Sequence, residues 1–353
     1  MVRSCSGWLI LLALVLTTPA RADSAAAQLA PPVDPQSFNA QYTLAVSYLQ
    51  KGDVKTAIPY LRRAHEIDPA HYDNGYNFGL ALLETGNIDE ARGIVTRLVK
   101  VKETGELHNL LGDIEERAGN LDPAAEHFQR AAHMDATEEH LFDWGNIHLR
   151  RRSGDNALAV FTAGVARYPA SPRLQIGLGI AQYARGKYSE AVASFCRAVD
   201  LDPSDPRPYD FLGEIYGIAP EFGPEVTERL AGFVKAHPNN ANAHLYYALS
   251  LWKGQRASAD STPIDFAQIE SLLRRAVTLE PTLARGHLEL GILLSEHQRY
   301  EDAIEPLVHA TRLDPRDAQA HYRLAQAYRR TGRTALAEQS LQRFQQLKAA
   351  APK

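Results

Sequence analysis

The 353-residue sequence has little that would commit it to covalent or metal chemistry. It holds two cysteines, Cys5 and Cys196, two methionines and three tryptophans. No HExxH, P-loop, GxSxG or CxxC spacing occurs in it. The usual signatures of zinc proteolysis, phosphate cradling, acyl transfer and dithiol redox work are therefore missing. An excess of positive charge is missing too. Lys and Arg number 38 against 42 Asp and Glu, a net charge of -4. That gives no basis for nucleic-acid binding, which favours basic surfaces. Long apolar runs are also absent. The longest stretch, "WLILLALVL", is about nine residues, whereas a membrane span needs roughly 20.

That short run carries information of its own. "MVRSCSG" precedes it with one positive charge, and Ala20-Arg21-Ala22 follows as an A-x-A cleavage site. The arrangement is that of a secretory signal peptide over residues 1–22, cut after Ala22. The expected location is secreted or periplasmic. Cleavage removes Arg3 and Arg21 and no acids, so the net charge moves from -4 to -6. It also removes Cys5 and leaves Cys196 with no internal disulfide partner. Residues 23–37, "DSAAAQLAPPVDPQS", are small, polar and Pro-rich, and read as a flexible leader.

What the chain does have is repetition. "AVASFCRAVDLDPSD" at 191–205 is echoed by "AIPYLRRAHEIDPAH" at 57–71 and "AIEPLVHATRLDPRD" at 303–317. A second mark, a large residue followed by Gly or Ala, occurs at Leu44-Ala45, Phe78-Gly79, Leu111-Gly112, Trp144-Gly145, Leu178-Gly179, Leu212-Gly213, Tyr247-Ala248, Leu290-Gly291 and Leu324-Ala325. The spacings are 34, 33, 33, 34, 34, 35, 43 and 34 residues. A small residue follows about twelve places later in seven units. Pro closes six of the nine units, at Pro69, Pro169, Pro203, Pro238, Pro281 and Pro315.

Each unit reads as two amphipathic helices of about a dozen residues. A small residue in the first helix admits the second closely, and large residues such as Phe128, Phe161 and Phe195 fill the remaining space. Gly52, Gly86, Gly119, Gly186 and Gly332 suit the turn within a unit. Pro cannot continue a helix and ends the unit. One helical pair cannot bury its apolar face by itself, so stacked copies share a core.

Period and small-residue pattern together resemble the tetratricopeptide repeat family. The resemblance covers about residues 38–349, with units starting near 38, 72, 105, 138, 172, 206, 241, 284 and 318. It implies an all-α, right-handed α-solenoid of about nine helix-turn-helix repeats. Two units depart from the pattern. The sixth has Val226 where Ala is expected, and the seventh carries an insertion over 254–268 and Ile269 in the Ala place. Helix packing is expected to differ there.

The resemblance also implies a concave groove lined by the first helices. The inward offsets give Tyr42, Val46 and Leu49; Tyr76, Leu80 and Leu83; Phe142, Asn146 and Leu149; Ile176, Ile180 and Tyr183; Leu245, Leu249 and Trp252; Leu288 and Ile292; and Tyr322, Gln326 and Arg329. Acids interrupt the row at Glu106, Asp113 and Glu116 and at Asp210 and Glu214. These side chains either open to a partner or are buried between neighbouring units. The aromatic ones, Tyr42, Tyr76, Phe142, Tyr183, Trp252 and Tyr322, are the preferred partner-binding residues, because Tyr and Trp are enriched at binding hot spots. Some members of the family clamp an acidic tail with Lys and Asn; here Tyr42 and Val46 stand in those places.

No catalytic residue, cofactor or metal site is assigned. His140 and His148, and His65 and His71, read as packing or solvated side chains. Glu115-Glu116 and Glu138-Glu139 read as solvated faces, and Arg323, Arg329, Arg330 and Arg333 as a solvated basic end. The expected function is a non-enzymatic scaffold for a protein or peptide partner. The alternative is an accessory to an exported enzyme or to envelope or polysaccharide assembly, with Trp252 and Tyr183 against a glycan. Solenoid ends and apolar grooves also support self-association.

Overall fold

The computed structural model describes residues 34–216, 223–257 and 265–350. The expected signal peptide, leader residues 23–33 and the middle of the expected insertion lie outside the described residues. Among the described residues there are eighteen α-helices and no strand, an all-helical repeat architecture. The chain divides into two compact units, residues 1–167 and 168–353.

The first unit holds four helix pairs. They are α1 (Phe38–Gln50) with α2 (Val54–Ile67), α3 (Tyr72–Glu84) with α4 (Ile88–Val101), α5 (Gly105–Ala118) with α6 (Leu121–Met134), and α7 (Glu138–Arg150) with α8 (Gly154–Arg167). The second unit holds five: α9 (Pro172–Ala184) with α10 (Tyr188–Leu201), α11 (Arg207–Tyr216) with α12 (Gly223–Ala236), α13 (Ala241–Ala257) with α14 (Phe266–Leu279), α15 (Ala284–Glu296) with α16 (Tyr300–Leu313), and α17 (Ala318–Arg330) with α18 (Thr334–Ala350). Within each unit every helix packs on its sequence neighbours. First helices also touch, α3 on α5, α5 on α7, α11 on α13 and α15 on α17.

The packing register explains the small-then-large pattern. A Cβ at Gly112 would lie 2.6 Å from the Phe128 ring, at Gly145 2.6 Å from Phe161 and at Gly179 2.6 Å from Phe195. Each ring is fully buried and comes from the second helix of the same pair. The missing side chain is thus the space the phenyl ring occupies. The sixth pair breaks this register. There a Cβ at Gly213 would meet Tyr246 of α13, at 2.3 Å, and not a residue of its own partner α12. Tyr209 of α11 instead stacks on Phe233 of α12, with ring centroids 4.0 Å apart and planes within 2°. In the seventh pair α13 runs on to Ala257 and α14 begins at Phe266.

The turn within a pair needs a left-handed residue. Gly119 takes it with φ +87°, but Arg152 and Gln298 hold the same place with φ +58° and +60°.

Helix starts are secured by side-chain oxygens of Ser37, Asp53, Thr104, Thr137, Ser171, Asp265 and Asp317, each accepting from a backbone N–H two or three residues on. This satisfies donors the helix leaves open. A second device recurs at the fourth residue of the repeat. Its side chain donates to the carbonyl of a proline six residues earlier: Gln41 to Pro35 at 2.6 Å, Tyr209 to Pro203 at 3.3 Å, His244 to Pro238 at 2.9 Å, His287 to Pro281 at 3.0 Å and His321 to Pro315 at 3.3 Å. Proline halts the preceding segment, and the next helix takes up its carbonyl.

Candidate partner-binding face

The fifth residues of the first helices form a row in the first unit: Tyr42, Tyr76, Asn109 and Phe142. Tyr42, Tyr76 and Phe142 are half-buried. Tyr42 is held by the neighbouring first helix, Tyr76 by its own helix and Phe142 by the second helix of its pair. Asn77 Nδ2 donates to the Tyr42 hydroxyl at 3.2 Å, and Asn109 Nδ2 donates to Asp143 Oδ2 at 3.1 Å. Tyr72 stacks on Tyr76 with centroids 6.5 Å apart. The Tyr72 hydroxyl donates to Glu106 Oε2 at 2.8 Å and lies 2.9 Å from Thr104 Oγ1. Phe142 packs edge-on against Phe161, 5.9 Å between centroids.

The electrostatics of this row are acidic. Burial, then the carboxylates of Glu106, Glu139 and Asp113, push the Tyr76 phenol well above the ordinary tyrosine range. Burial, then Asp73, raise Tyr42, with Asn77 opposing. Negative charge from α3, α5 and α7 therefore bears on the tyrosines of one row.

In the second unit the expected row is less open. Tyr183 is half-buried beside Tyr188 and Phe211. Tyr322 is 39% exposed and meets Phe344 of the last helix at 5.1 Å. Trp252 is a correction. It is 3% exposed and belongs to the unit's core with Leu249, Leu245 and Ile269, so it has no surface to offer a partner. Among the row's aliphatic positions Leu80, Leu83, Ile176, Leu245, Leu249, Leu288 and Ile292 are buried as well, whereas Val46, Leu49, Leu149 and Ile180 are partly exposed beside the rings.

The acidic stations also differ from expectation. Asp113 is buried. Glu115 is no solvated residue: it is buried, and Arg92 Nε donates to it at 2.5 Å while Asn120 donates at 2.7 Å. Burial pushes its carboxyl up, but Arg92 and Asn120 together carry it below the usual range. Glu116 pairs with Arg150 of α7. Asp210 is half-buried, and burial, then Glu214 and Asp205, push its carboxyl up to about 6.

Three features were not assigned from sequence. Asn77, Asn109 and Asp143 bond between neighbouring helices; their signal is a polar residue in an otherwise apolar row. The proline clamps were legible as Gln, Tyr or His six places after Pro. The third is a histidine pair, His108 Nδ1 and His127 Nδ1 at 3.1 Å, with His108 Nε2 2.8 Å from Glu103. Among the described residues no group of three or more His, Cys, Asp or Glu is placed to hold a metal ion. Cys196 is buried, and burial pushes its thiol up to about 12, which keeps it from acting as a nucleophile at neutral pH. Among the described residues no helix is long and apolar enough to cross a membrane.

A family model described as Tetratricopeptide repeat matches residues 19–72 and 142–206, and a second of the same description matches 48–114. A model described as Bacterial transcriptional activator domain matches 224–350. No curated protein matches the sequence. Among solved structures, the C-terminal part of a TPR repeat-containing protein from Cytophaga hutchinsonii aligns at 14% identity and TM-score 0.55, over 69% of this chain and 97% of its own. A tetratricopeptide repeat protein from Parabacteroides merdae aligns at 16% identity and TM-score 0.49, over 73% and 99%. YrrB, described as a TPR protein with an unusual peptide-binding site, aligns at 18% identity and TM-score 0.42, over 50% and 91%. At 14% identity the likeness to the Cytophaga protein speaks for the fold alone.

Proposed function

Because the chain belongs to the tetratricopeptide repeat family, we propose that it is a non-enzymatic scaffold holding a protein or peptide partner on its first-helix face. One observation carries this reading. In the first unit Tyr42, Tyr76 and Phe142 occupy the same place on three first helices, in contact with neighbouring side chains yet only half-buried. Such rigid, half-exposed rings lose little side-chain freedom on contact, which is what makes aromatic residues effective anchors. The helix pairs also fill the described residues, with no second fold to house a catalytic centre.

The signal-peptide pattern of residues 1–22 supports reading the scaffold as an exported protein whose mature chain begins at Asp23. The glycan reading loses its best stacking ring, since Trp252 is in the core, and no other observation favours it.

The test is co-purification of the full chain from the native exported fraction, beside a variant with Tyr42, Tyr76 and Phe142 changed to Ala. A stoichiometric partner held by the wild type and lost by the variant is expected. A partner retained equally by both, or no partner at all, overturns the assignment.

A further inference from the structure

We propose that the first unit receives a lysine- or arginine-bearing segment of a partner protein between α3, α5 and α7, with Tyr76, Glu106, Glu139 and Asn109 as its contacts. This rests on the scaffold reading above and specifies the chemistry of what is held.

Several acids of the first unit are met by arginine: Glu90 by Arg62, Glu103 by Arg130, Glu115 by Arg92 and Glu116 by Arg150. Asp73, Glu106 and Glu139 are not; among the described residues no Lys or Arg forms an ion pair with any of them. They hold the second place of α3, α5 and α7 in turn, and Glu106 and Glu139 are exposed. Together with Asp113, Glu106 and Glu139 act on the Tyr76 hydroxyl, so their charge converges on one spot.

Helix dipoles alone favour acids in a first turn, but they do not explain these. The equivalent places in the second unit are Arg173, Arg207, Asn242, Arg285 and Gln319, three of the sign the dipole disfavours and none acidic. The choice of acid is therefore particular to the first unit.

Two further observations name the ligand's chemistry. Asn109 is 6% exposed, its Nδ2 is committed to Asp143, and its Oδ1 is buried with no hydrogen-bond partner. It stands in the row between Tyr76 and Phe142. A buried acceptor without a donor costs about 1–3 kcal/mol, and an N–H from a ligand removes that cost. The face also takes a cation within the chain: Lys102 Nζ sits 5.0 Å over the Tyr72 ring, whose hydroxyl is bonded to Glu106. Unpaired carboxylates, an acceptor oxygen and electron-rich ring faces all complement an ammonium or guanidinium on an extended peptide.

The probe is a fluorescein-labelled, N-acetylated ten-residue peptide alternating Ala and Lys, followed by anisotropy on the full chain at about 50 and 300 mM salt. Peptides with Gln or Glu in place of Lys are run beside it. Binding of the Lys peptide, weaker at high salt and absent for the Glu peptide, is expected. Glu106→Gln with Glu139→Gln should raise its Kd about fivefold, at the scale of two exposed ion pairs. Glu66→Gln with Glu126→Gln removes the same net charge from exposed places on α2 and α6 and should change Kd less than twofold. Absence of Lys-peptide binding overturns the inference. So does an equal loss in both double variants, which would mean diffuse attraction to an acidic protein. A native partner lost on the Tyr42, Tyr76 and Phe142 change, but cross-linked through a segment without Lys or Arg, would keep the scaffold reading and refute this one.

Discussion

Asp210→Asn should stabilise the protein at neutral pH and lose that advantage in acid. Asp210 lies in α11 with Glu214 one turn on and Asp205 just before it, and burial is the largest reason its carboxyl rises from 3.8 to about 6. A folded-state pKa above the unfolded value means that the fold prefers the protonated acid. The cost of the ionised form is therefore fully present above about pH 6 and disappears as pH falls towards 3.8. A displacement of about 2 pH units corresponds to about 3 kcal/mol. Asp210 is only half-buried, and solvent screening reduces this to about 1 kcal/mol. Asn keeps the shape and removes the charge. Urea unfolding followed by circular dichroism at pH 7.5, 5.5 and 4 should show the variant about 1 kcal/mol more stable, then less so, then equal. A variant no more stable than the wild type at pH 7.5, or a difference that does not change with pH, would refute the burial argument.

The repeat devices give further tests. His244→Ala removes the donor to the Pro238 carbonyl and should cost about 1 kcal/mol in the same unfolding assay. His244→Gln should recover most of it, since Gln41 makes the equivalent bond to Pro35; a Gln variant as weak as Ala would mean the bond is incidental. Arg152→Gly and Gln298→Gly address the two left-handed turn residues without glycine. The left-handed conformation costs about 1–2 kcal/mol for an L residue, and glycine's greater unfolded-state freedom takes back about 0.4–1 kcal/mol. Each change should therefore add about 0.5 kcal/mol, read as a higher urea midpoint at unchanged slope.

The fold was legible because its rules are local. Periodicity, a small residue facing a large one, and a Pro stop each act within one repeat, and each recurs. The site was less so, because exposure depends on neighbours. Tyr76 and Trp252 both lie at inward offsets and look alike in sequence. Tyr76 sits in α3, which packs on α2, α4 and α5, and stays half-buried. Trp252 sits in α13, which packs on α11, α12 and α14 together, and there the register has already shifted so that Tyr246 fills the space at Gly213. The departures at Val226 and in the insertion marked this region as irregular, but no single residue states which helix slides into the gap. The polar links are hidden for the same reason. Asn109 and Asp143 are 34 residues apart, so their bond exists only once two helices are placed side by side. It follows that in such repeats sequence alone identifies the residues available for a row, while the packing of the adjacent pair decides whether each is core or contact.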